Sequence, residues 1–383
     1  VILEKPDMKI AVNCWVLRNK QLDGIGNFTV ETLPRIIRAH PEIEFQILCD
    51  KNFTEDYFDF PNVSKHHICP HYRHPALYVV YFEWTVRRFL RKHKPEIFLS
   101  MEGFLSLGSP VPQLPIIYDL NFEAYPKDLT LKNRLYFRNF FPRFAKKAVR
   151  IATISEYSKA DIVSRYGIDE ELIDNVSCGI KEVFAPLTEK EIGDVRQKLT
   201  GGKPYFFFVG SMHPRKNIVR LLQAFDHFKQ SVPSDAKLVL SGHILWDDDS
   251  ISNTLSALSA KPDIIFTGRV TDKQLRQYLG AAICLSFVPT FEGFGLPIVE
   301  AFQSGVPVIC SNTTSMPEVA GDAAIQVNPF DIEEVSQAMQ SVYLQPEKRQ
   351  DMIRKGFVQK NIFTWDRTAE LLYQCILKAL KKS

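Results

Sequence analysis

Apolar and polar positions along the chain form two successive runs, each alternating short apolar stretches with amphipathic ones. The first run opens on KIAVNCWVL (9–17), which predicts a strand leading into a glycine-bearing turn. Further strands are expected over 44–49, 96–101, 115–120 and 150–155, with helices over about 76–93, 131–149 and 156–166 between several of them. This alternation implies a parallel sheet covered by helices on both faces. The second run restarts at PYFFFVG (204–210), a strand without a polar position, as expected where both faces are buried. Strands over 237–241, 263–267, 283–288 and 306–310 follow, again with helices between them. A last amphipathic helix, about 364–380, has the pattern to pack back across the first domain.

The fold class is therefore α/β, with two Rossmann-like, doubly wound parallel-sheet domains facing each other across a cleft. We place them at 8–185 and 186–362, with a closing helix in 363–383 and the hinge within 186–202. A length of 383 residues suits two domains, and 45% hydrophobic with 24% charged residues excludes a disordered chain. No apolar run reaches the roughly 18 residues of a membrane span. The first seven residues are too short and too polar for a signal peptide. The seven cysteines are scattered, without Cys-x-x-Cys or zinc-like spacing, and read as reduced thiols of a cytoplasmic protein.

Charge changes the picture in one place. The formal net charge is only +3, yet residues 86–150 hold 13 Lys and Arg against 5 Asp and Glu, an excess of +8. Within 131–150 seven basic residues meet no acid, and Tyr136, Phe137, Phe140, Phe141 and Phe144 lie among them. Such a stretch suits peripheral contact with an anionic membrane face or an acidic acceptor; the plainer reading is a solvated helix whose aromatics fill the core. No recognised motif for nucleic acid accompanies the charge.

Three segments carry chemistry. In EGFGLPIVE (292–300) an apolar strand gives way to a glycine loop and a helix starting near Pro297. Gly293 and Gly295 let the backbone approach an anion, and the amides of Gly295 and Leu296 offer a pyrophosphate seat at the helix start. Glu292 precedes that seat in the loop, where it can meet sugar hydroxyls. Glu300 follows it one turn into the helix, placed for both hydroxyls of a ribose. In FVGSMHPRKN (208–217) a buried strand ends in Gly210-Ser211, and Arg215 and Lys216 stand at the next helix start, able to neutralise a departing diphosphate. In DGIGNFTVETL (23–33) Gly24 and Gly26 permit a tight turn, although Thr29 stands where a dinucleotide fingerprint has its third glycine. Asp247, Asp248 and Asp249 resemble a metal-binding Asp-x-Asp but read better as the acidic start of a helix, and His66-His67 reads as a loop. No metal site is expected.

Together these segments resemble the retaining glycosyltransferases of family 4, which have the GT-B fold. The likeness runs from about residue 8 to 375 and includes TISEYSKADI (153–162), FTGRVTDKQL (266–275), GVPVICSNTTSMPEVAGDAA (305–324) and FTWDRTAELL (363–372). It implies a mannosyltransferase-like hexosyltransferase acting on a saccharide or lipid-linked glycan in cell-envelope polysaccharide synthesis. Glu300 would bind the donor ribose and Glu292 the transferred sugar. Arg215, Lys216 and the amides of Gly295 and Leu296 would hold the phosphates, with Ser211 and Phe294 in the donor site. Arg269 and Val270 would lie near the base, and Gly24–Gly26 would close over the donor from the other domain. The PRKN segment favours GDP-mannose weakly over UDP-sugars as donor, with no cofactor. One departure stands out: many relatives have His-Asp where this chain has Tyr118-Asp119, on the acceptor side, and tyrosine, with a pKa near 10, is a poor base. A sugar-nucleotide epimerase or a non-catalytic nucleotide-sugar-binding protein of the same fold therefore stays open. A nicotinamide dehydrogenase is disfavoured by the incomplete glycine pattern.

Overall fold

Strand β1 (Met8–Asn13) is apolar from Ile10 to Val12, and these three side chains are wholly buried. In the computed structural model, which describes residues 8–18, 22–49, 57–68, 75–243 and 249–381, it lies in the middle of a parallel sheet. The other strands of this first sheet are β2 (Ile43–Cys49), β3 (Val63–His67), β4 (Ile97–Ser100) and β5 (Gln113–Pro115), in the order β3-β2-β1-β4-β5. Strands β6 (Ile151–Thr153) and β7 (Ile173–Asn175) pair in parallel, and a parallel bridge from Ile116 to Ala152 continues the ladder from β5 towards them.

The first unit holds the chain up to Gly179 and again from Trp365, and the second spans Ile180–Thr364. The chain returns to the first unit through the helix Trp365–Lys381, which lies on the helix Gly24–Ala39. Arg35 Nε meets Asp366 at 2.8 Å, the His40 ring stacks on Tyr373 at 3.6 Å, and Phe28 meets Trp365 edge-on. Gly179 sits where the chain leaves this unit. A Cβ there would fall 2.3 Å from the Trp365 amide nitrogen, so only glycine fits.

The second unit repeats the plan. Its strands are β8 (Tyr205–Val209), β9 (Lys237–Ser241), β10 (Ile264–Gly268), β11 (Cys284–Phe287), β12 (Val308–Ser311) and β13 (Ala324–Val327). They run parallel in the order β10-β9-β8-β11-β12-β13, the doubly wound order with its reversal between β8 and β11. Phe206, Phe207 and Phe208 are wholly buried, which is why β8 has no polar position.

Four expectations need correction. His66 and His67 belong to β3, an edge strand too polar to announce itself by apolar alternation. The segment 186–202 holds the helix Glu189–Thr200, closed at its start by a Thr188–Glu191 capping box, and the units divide earlier, after Gly179. The strand expected over 115–120 is confined to β5; Ile116 and Ile117 still donate to Ser100 and Ala152, and the chain then turns away. Helix 76–93 is broken by a π-helical stretch, Tyr81–Val86, between Pro75–Val80 and Arg87–His93. Asp247 and Asp248 lie outside the described residues, and Asp249 precedes the helix Ser250–Ala257 in a left-handed conformation without capping it. No helix among the described residues is long and apolar enough to cross a membrane.

Candidate active site

Where strand order reverses in a doubly wound sheet, the loops leaving the two central strands diverge to opposite faces and open a crevice at the strand carboxyl ends. In the second unit these are the loops after β8 and β11, and they carry most of the candidate residues. β8 ends at Gly210 (φ 150°), whose carbonyl oxygen would lie 1.8 Å from a Cβ on Gly242 (φ 147°), so this approach of two strand ends requires glycine at 242. Beyond Ser211, whose carbonyl accepts from the His213 amide, a 3-10 turn spans Pro214–Lys216. Asn217 follows in the left-handed region (φ 62°), buried, and its Nδ2 donates to Val288 O (3.0 Å) and Pro329 O (2.7 Å). The Thr290 amide donates to Arg215 O at 2.8 Å. The loop after β8 is thus tied to the loop after β11 by its backbone.

That tie brings three sequence candidates together. Glu292 Oε1 accepts hydrogen bonds from Arg215 Nη1 (2.9 Å) and from Lys216 Nζ. Arg215 also donates to Phe291 O, and the Lys216 ammonium lies 5.1 Å from the centre of the Phe287 ring. Burial would push the Glu292 carboxyl up, but the charges and hydrogen bonds of Lys216 and Arg215 outweigh it and hold it below its ordinary range. The trio carries one net positive charge, a receptor for an anion that can displace the carboxylate.

Ser315 fixes the loop from the other side: its hydroxyl lies 2.9 Å from Glu292 O and 3.1 Å from Phe294 O, within donating distance of both carbonyls. Phe294 is buried edge-on against Phe363. Gly295 (φ 100°) opens the helix Leu296–Gln303 with no capping side chain, and the amides of Gly295 and Leu296 donate to no backbone carbonyl among the described residues. Glu300, one turn in, accepts no hydrogen bond or ion pair at its carboxylate from any described residue. Burial pushes that carboxyl up to about 7, against the pull of Lys181 and helped by Asp272. Lys181 and Asp272 pair with each other at 2.8 Å. Arg269 and Val270 follow β10 just before Asp272, with Arg269 exposed.

The remaining candidates belong to the first unit. Gly24 and Gly26 form not a tight turn but the first turn of a helix, where Asp23 caps the Gly26 amide at 2.9 Å. Tyr118 donates its hydroxyl to Met101 O (3.0 Å) and packs edge-on against Phe28. Burial above all, then the Cys178, Glu102, Asp23 and Cys14 groups, raise its phenol well beyond the ordinary 10. The Asp119 carboxylate accepts from the Asn121 amide. The aromatics of the basic helix Leu131–Lys147 are largely core: Tyr136, Phe141 and Phe144 are buried.

Three contributors carry no role in the sequence reading: Asn217, Ser315 and Lys181. Asn217 stood in view beside Lys216, and Ser315 inside a family-like stretch, but neither residue type announces which carbonyl it will find. A cavity of the second unit, about 650 Å³, is lined elsewhere by Asp226, His227, Phe330 and Glu333 among others and holds none of these residues. Among the described residues no group of three or more His, Cys, Asp or Glu is placed to hold a metal ion.

Fold and site define a class: an α/β protein of two doubly wound units, with an anion-receiving crevice in the second. Residues 190–359 match the family described as Glycosyl transferases group 1. O-antigen chain mannosyltransferase B of Escherichia coli is 28% identical over 360 residues, covering 90% of this chain and 93% of that protein. O-antigen chain mannosyltransferase RfbU of Salmonella typhimurium is 25% identical over 316 residues, covering 79% of this chain and 82% of its own. The structure of sucrose-phosphate synthase from Thermosynechococcus elongatus superposes with a TM-score of 0.79 at 17% identity, covering 98% of this chain and all of that one. The chain is a glycosyltransferase with the GT-B fold, and its match to the group 1 family spans residues 190–359.

Proposed function

We propose that the protein is a retaining mannosyltransferase that moves mannose from GDP-mannose to a saccharide or lipid-linked glycan during cell-envelope polysaccharide synthesis. The two O-antigen mannosyltransferases among its relatives support the sugar and the setting. The observation that carries the reading is the Glu292 carboxylate held between Arg215 and Lys216 at the β8/β11 switch point, beside amides of Gly295 and Leu296 that donate to no backbone carbonyl among the described residues. On this reading the donor diphosphate takes over the two cations and the amides. Glu292 is then released to the sugar hydroxyls, and Glu300 accepts the ribose hydroxyls near Arg269 and Val270. Ser211 and Phe294 complete the donor site.

The acceptor hydroxyl attacks the sugar C1 from the face that the diphosphate leaves. The bond from C1 to the phosphate oxygen breaks as the bond to the acceptor oxygen forms, and the departing phosphate oxygen takes the hydroxyl proton. No strong side-chain base is needed, so Tyr118 in place of histidine is tolerable; catalysis rests on leaving-group charge and positioning. The acceptor side falls to the first unit, with Tyr118, Asp119 and the Gly24–Gly26 helix start. The positive excess of 86–150 fits contact of that unit with the inner, anionic face of a membrane.

The test is a donor screen. Thermal shift with GDP-mannose, UDP-sugars and ADP-sugars, followed by product analysis with a mannan-type acceptor, should show stabilisation by GDP-mannose and an α-linked product. Product without added acceptor would mark an epimerase instead. Nucleotide binding with neither transfer nor hydrolysis would mark a binding protein.

A further inference from the structure

The aromatics of the basic helix turn inward, yet the same region exposes large apolar side chains that the sequence pattern did not single out. On the helical stretch 75–93 the exposed positions run Leu77, Val80, Trp84, Arg88 and Arg91, at spacings of three and four that keep them on one face. Trp84 is 75% exposed. Along that face the first half is apolar and the second half cationic, with Lys92 beside Arg91. Helix Leu131–Lys147 repeats the order: Leu131 and Leu135 are 59% and 63% exposed at its start, and Arg138, Lys146 and Lys147 are exposed further on.

The two apolar starts are neighbours. Tyr78 packs edge-on against Tyr136 with ring centres 5.3 Å apart, so Leu77 and Leu135 each stand one residue from a touching pair. Two acids beside these helices are engaged within the fold. Glu83 accepts from the amides of Leu107 and Gly108 (2.5 and 2.9 Å), and Glu123 pairs with Arg138 at 3.2 Å. Helices Arg87–His93 and Leu131–Lys147 contain no acid at all. A monomeric surface rarely gathers five large apolar side chains without a partner, and a partner flanked by the exposed Arg88, Arg91, Lys92, Lys146 and Lys147 has to be anionic.

We infer that this face docks on an anionic lipid bilayer, with Trp84, Leu77, Val80, Leu131 and Leu135 entering the boundary between headgroups and acyl chains. The cations of both helices then lie against lipid phosphates. An apolar face rimmed by Lys and Arg, with a tryptophan at the level of the headgroups, is the pattern of a protein lying on a membrane rather than crossing it. The inference rests on the membrane contact proposed above and gives it a place, but it does not rest on the identity of the donor. It also moves the contact: insertion begins with residues before 86, and charge alone does not make it.

The test is co-sedimentation of the full chain with phosphatidylcholine vesicles, with and without phosphatidylglycerol, at low and high salt. The expected result is pelleting with the anionic vesicles only. Trp84→Ser or Leu135→Ser should weaken it roughly tenfold, and Arg88→Ala with Arg91→Ala should weaken it and flatten its salt dependence. Exposed side chains of this kind leave the fold intact, which circular dichroism and an unchanged affinity for GDP check. No pelleting of the wild type, or binding that ignores Trp84 and Leu135, overturns the inference. So does a dimer that Trp84→Ser dissolves while vesicle binding is absent, which would assign the face to a second copy of the chain. Vesicle binding that persists while GDP binding fails sinks the donor reading alone.

Discussion

Both units reverse their strand order at the same topological place, between β1 and β4 in the first and between β8 and β11 in the second, yet they treat the strand ends differently. In the first, Glu102 accepts from the Val16 amide (2.5 Å) and from Asn13, Asn13 accepts from Tyr81, and Tyr118 donates to Met101 O. In the second, two cations share one carboxylate, the Glu300 carboxylate has no partner among the described residues, and a helix start is uncapped. A crevice whose polar groups mostly pair with one another, the buried Ser100 hydroxyl aside, suits a neutral hydroxyl-bearing ligand. One that holds net charge and unpaired groups is built to trade its internal bonds for a charged ligand. On the proposed function, the same fold accommodates two partners because the side chains at the switch points differ, not the sheets.

The strongest way to break this contrast is Lys216→Ala. Removing one electrostatic donor to the leaving diphosphate should lower turnover on the order of 10²–10³-fold. Its ammonium is buried against Phe287, so the loss is not made up by solvent. Steady-state kinetics with GDP-mannose would check it, and a fall under about threefold would put the second switch point on a par with the first.

Glu300 comes next. Glu300→Ala should weaken nucleoside diphosphate binding by about 1.5–3 kcal/mol, roughly tenfold to hundredfold, by calorimetry. The proton on this group gives a second readout. Its carboxyl is raised from the ordinary 4.5 to about 7 by burial, so between these values the folded chain holds a proton that the unfolded chain has released. Its contribution to stability is therefore full below about pH 4.5 and lost as pH rises through about 7. Glu300→Gln should raise the melting temperature at pH 8 and give no gain below pH 4.5. Nucleotide affinity of the wild type should fall relative to that of Glu300→Gln as pH drops through about 7. Parallel curves for the two proteins would remove Glu300 from the ribose.

What the sequence disclosed of this contrast follows from how each signal is encoded. Strands buried on both faces are written as apolar runs, so 204–210 and 237–241 could be read to within a residue or so. The polar edge strand β3 and the three-residue β7 have no such run and could not. Glu292, Arg215 and Lys216 lie in segments whose glycines, proline and strand ends predict loops at one crevice, and the structure brings those three together. Gly24 and Gly26 carry equally suggestive glycines, but Asp23 makes a better helix cap than a turn. The role of Ser315 depends on which carbonyls the fold delivers to its hydroxyl, 21 and 23 residues away in sequence, and no local pattern encodes that.

A milder perturbation acts on the backbone rather than on charge. Gly295 holds φ 100°, and a Cβ there would come 2.6 Å from Met316 Cε, a flexible end in a buried place. Gly295→Ala should cost about 1–2 kcal/mol of stability in chemical denaturation and displace the amide of Leu296. If the uncapped helix start receives the diphosphate, GDP affinity must fall along with stability. Stability loss alone would leave that helix start as an ordinary turn.

The smallest expected effect bears on the first unit and is the most discriminating. Tyr118→Phe deletes one hydroxyl whose single described bond is to the carbonyl of Met101, and keeps the ring that packs on Phe28. A phenol pushed well above 10 by burial stays protonated at every pH the enzyme meets, so it is a donor and never a base. Losing its bond should cost about 1 kcal/mol of stability. Turnover with GDP-mannose should change by less than about threefold and keep its pH profile if, as proposed, proton transfer runs to the leaving phosphate. A drop of a hundredfold or more, with KM unchanged, would mean that the hydroxyl acts in the transition state. The first switch point would then be part of the chemistry, and the division between a charged donor unit and a self-satisfied acceptor unit would have to be given up.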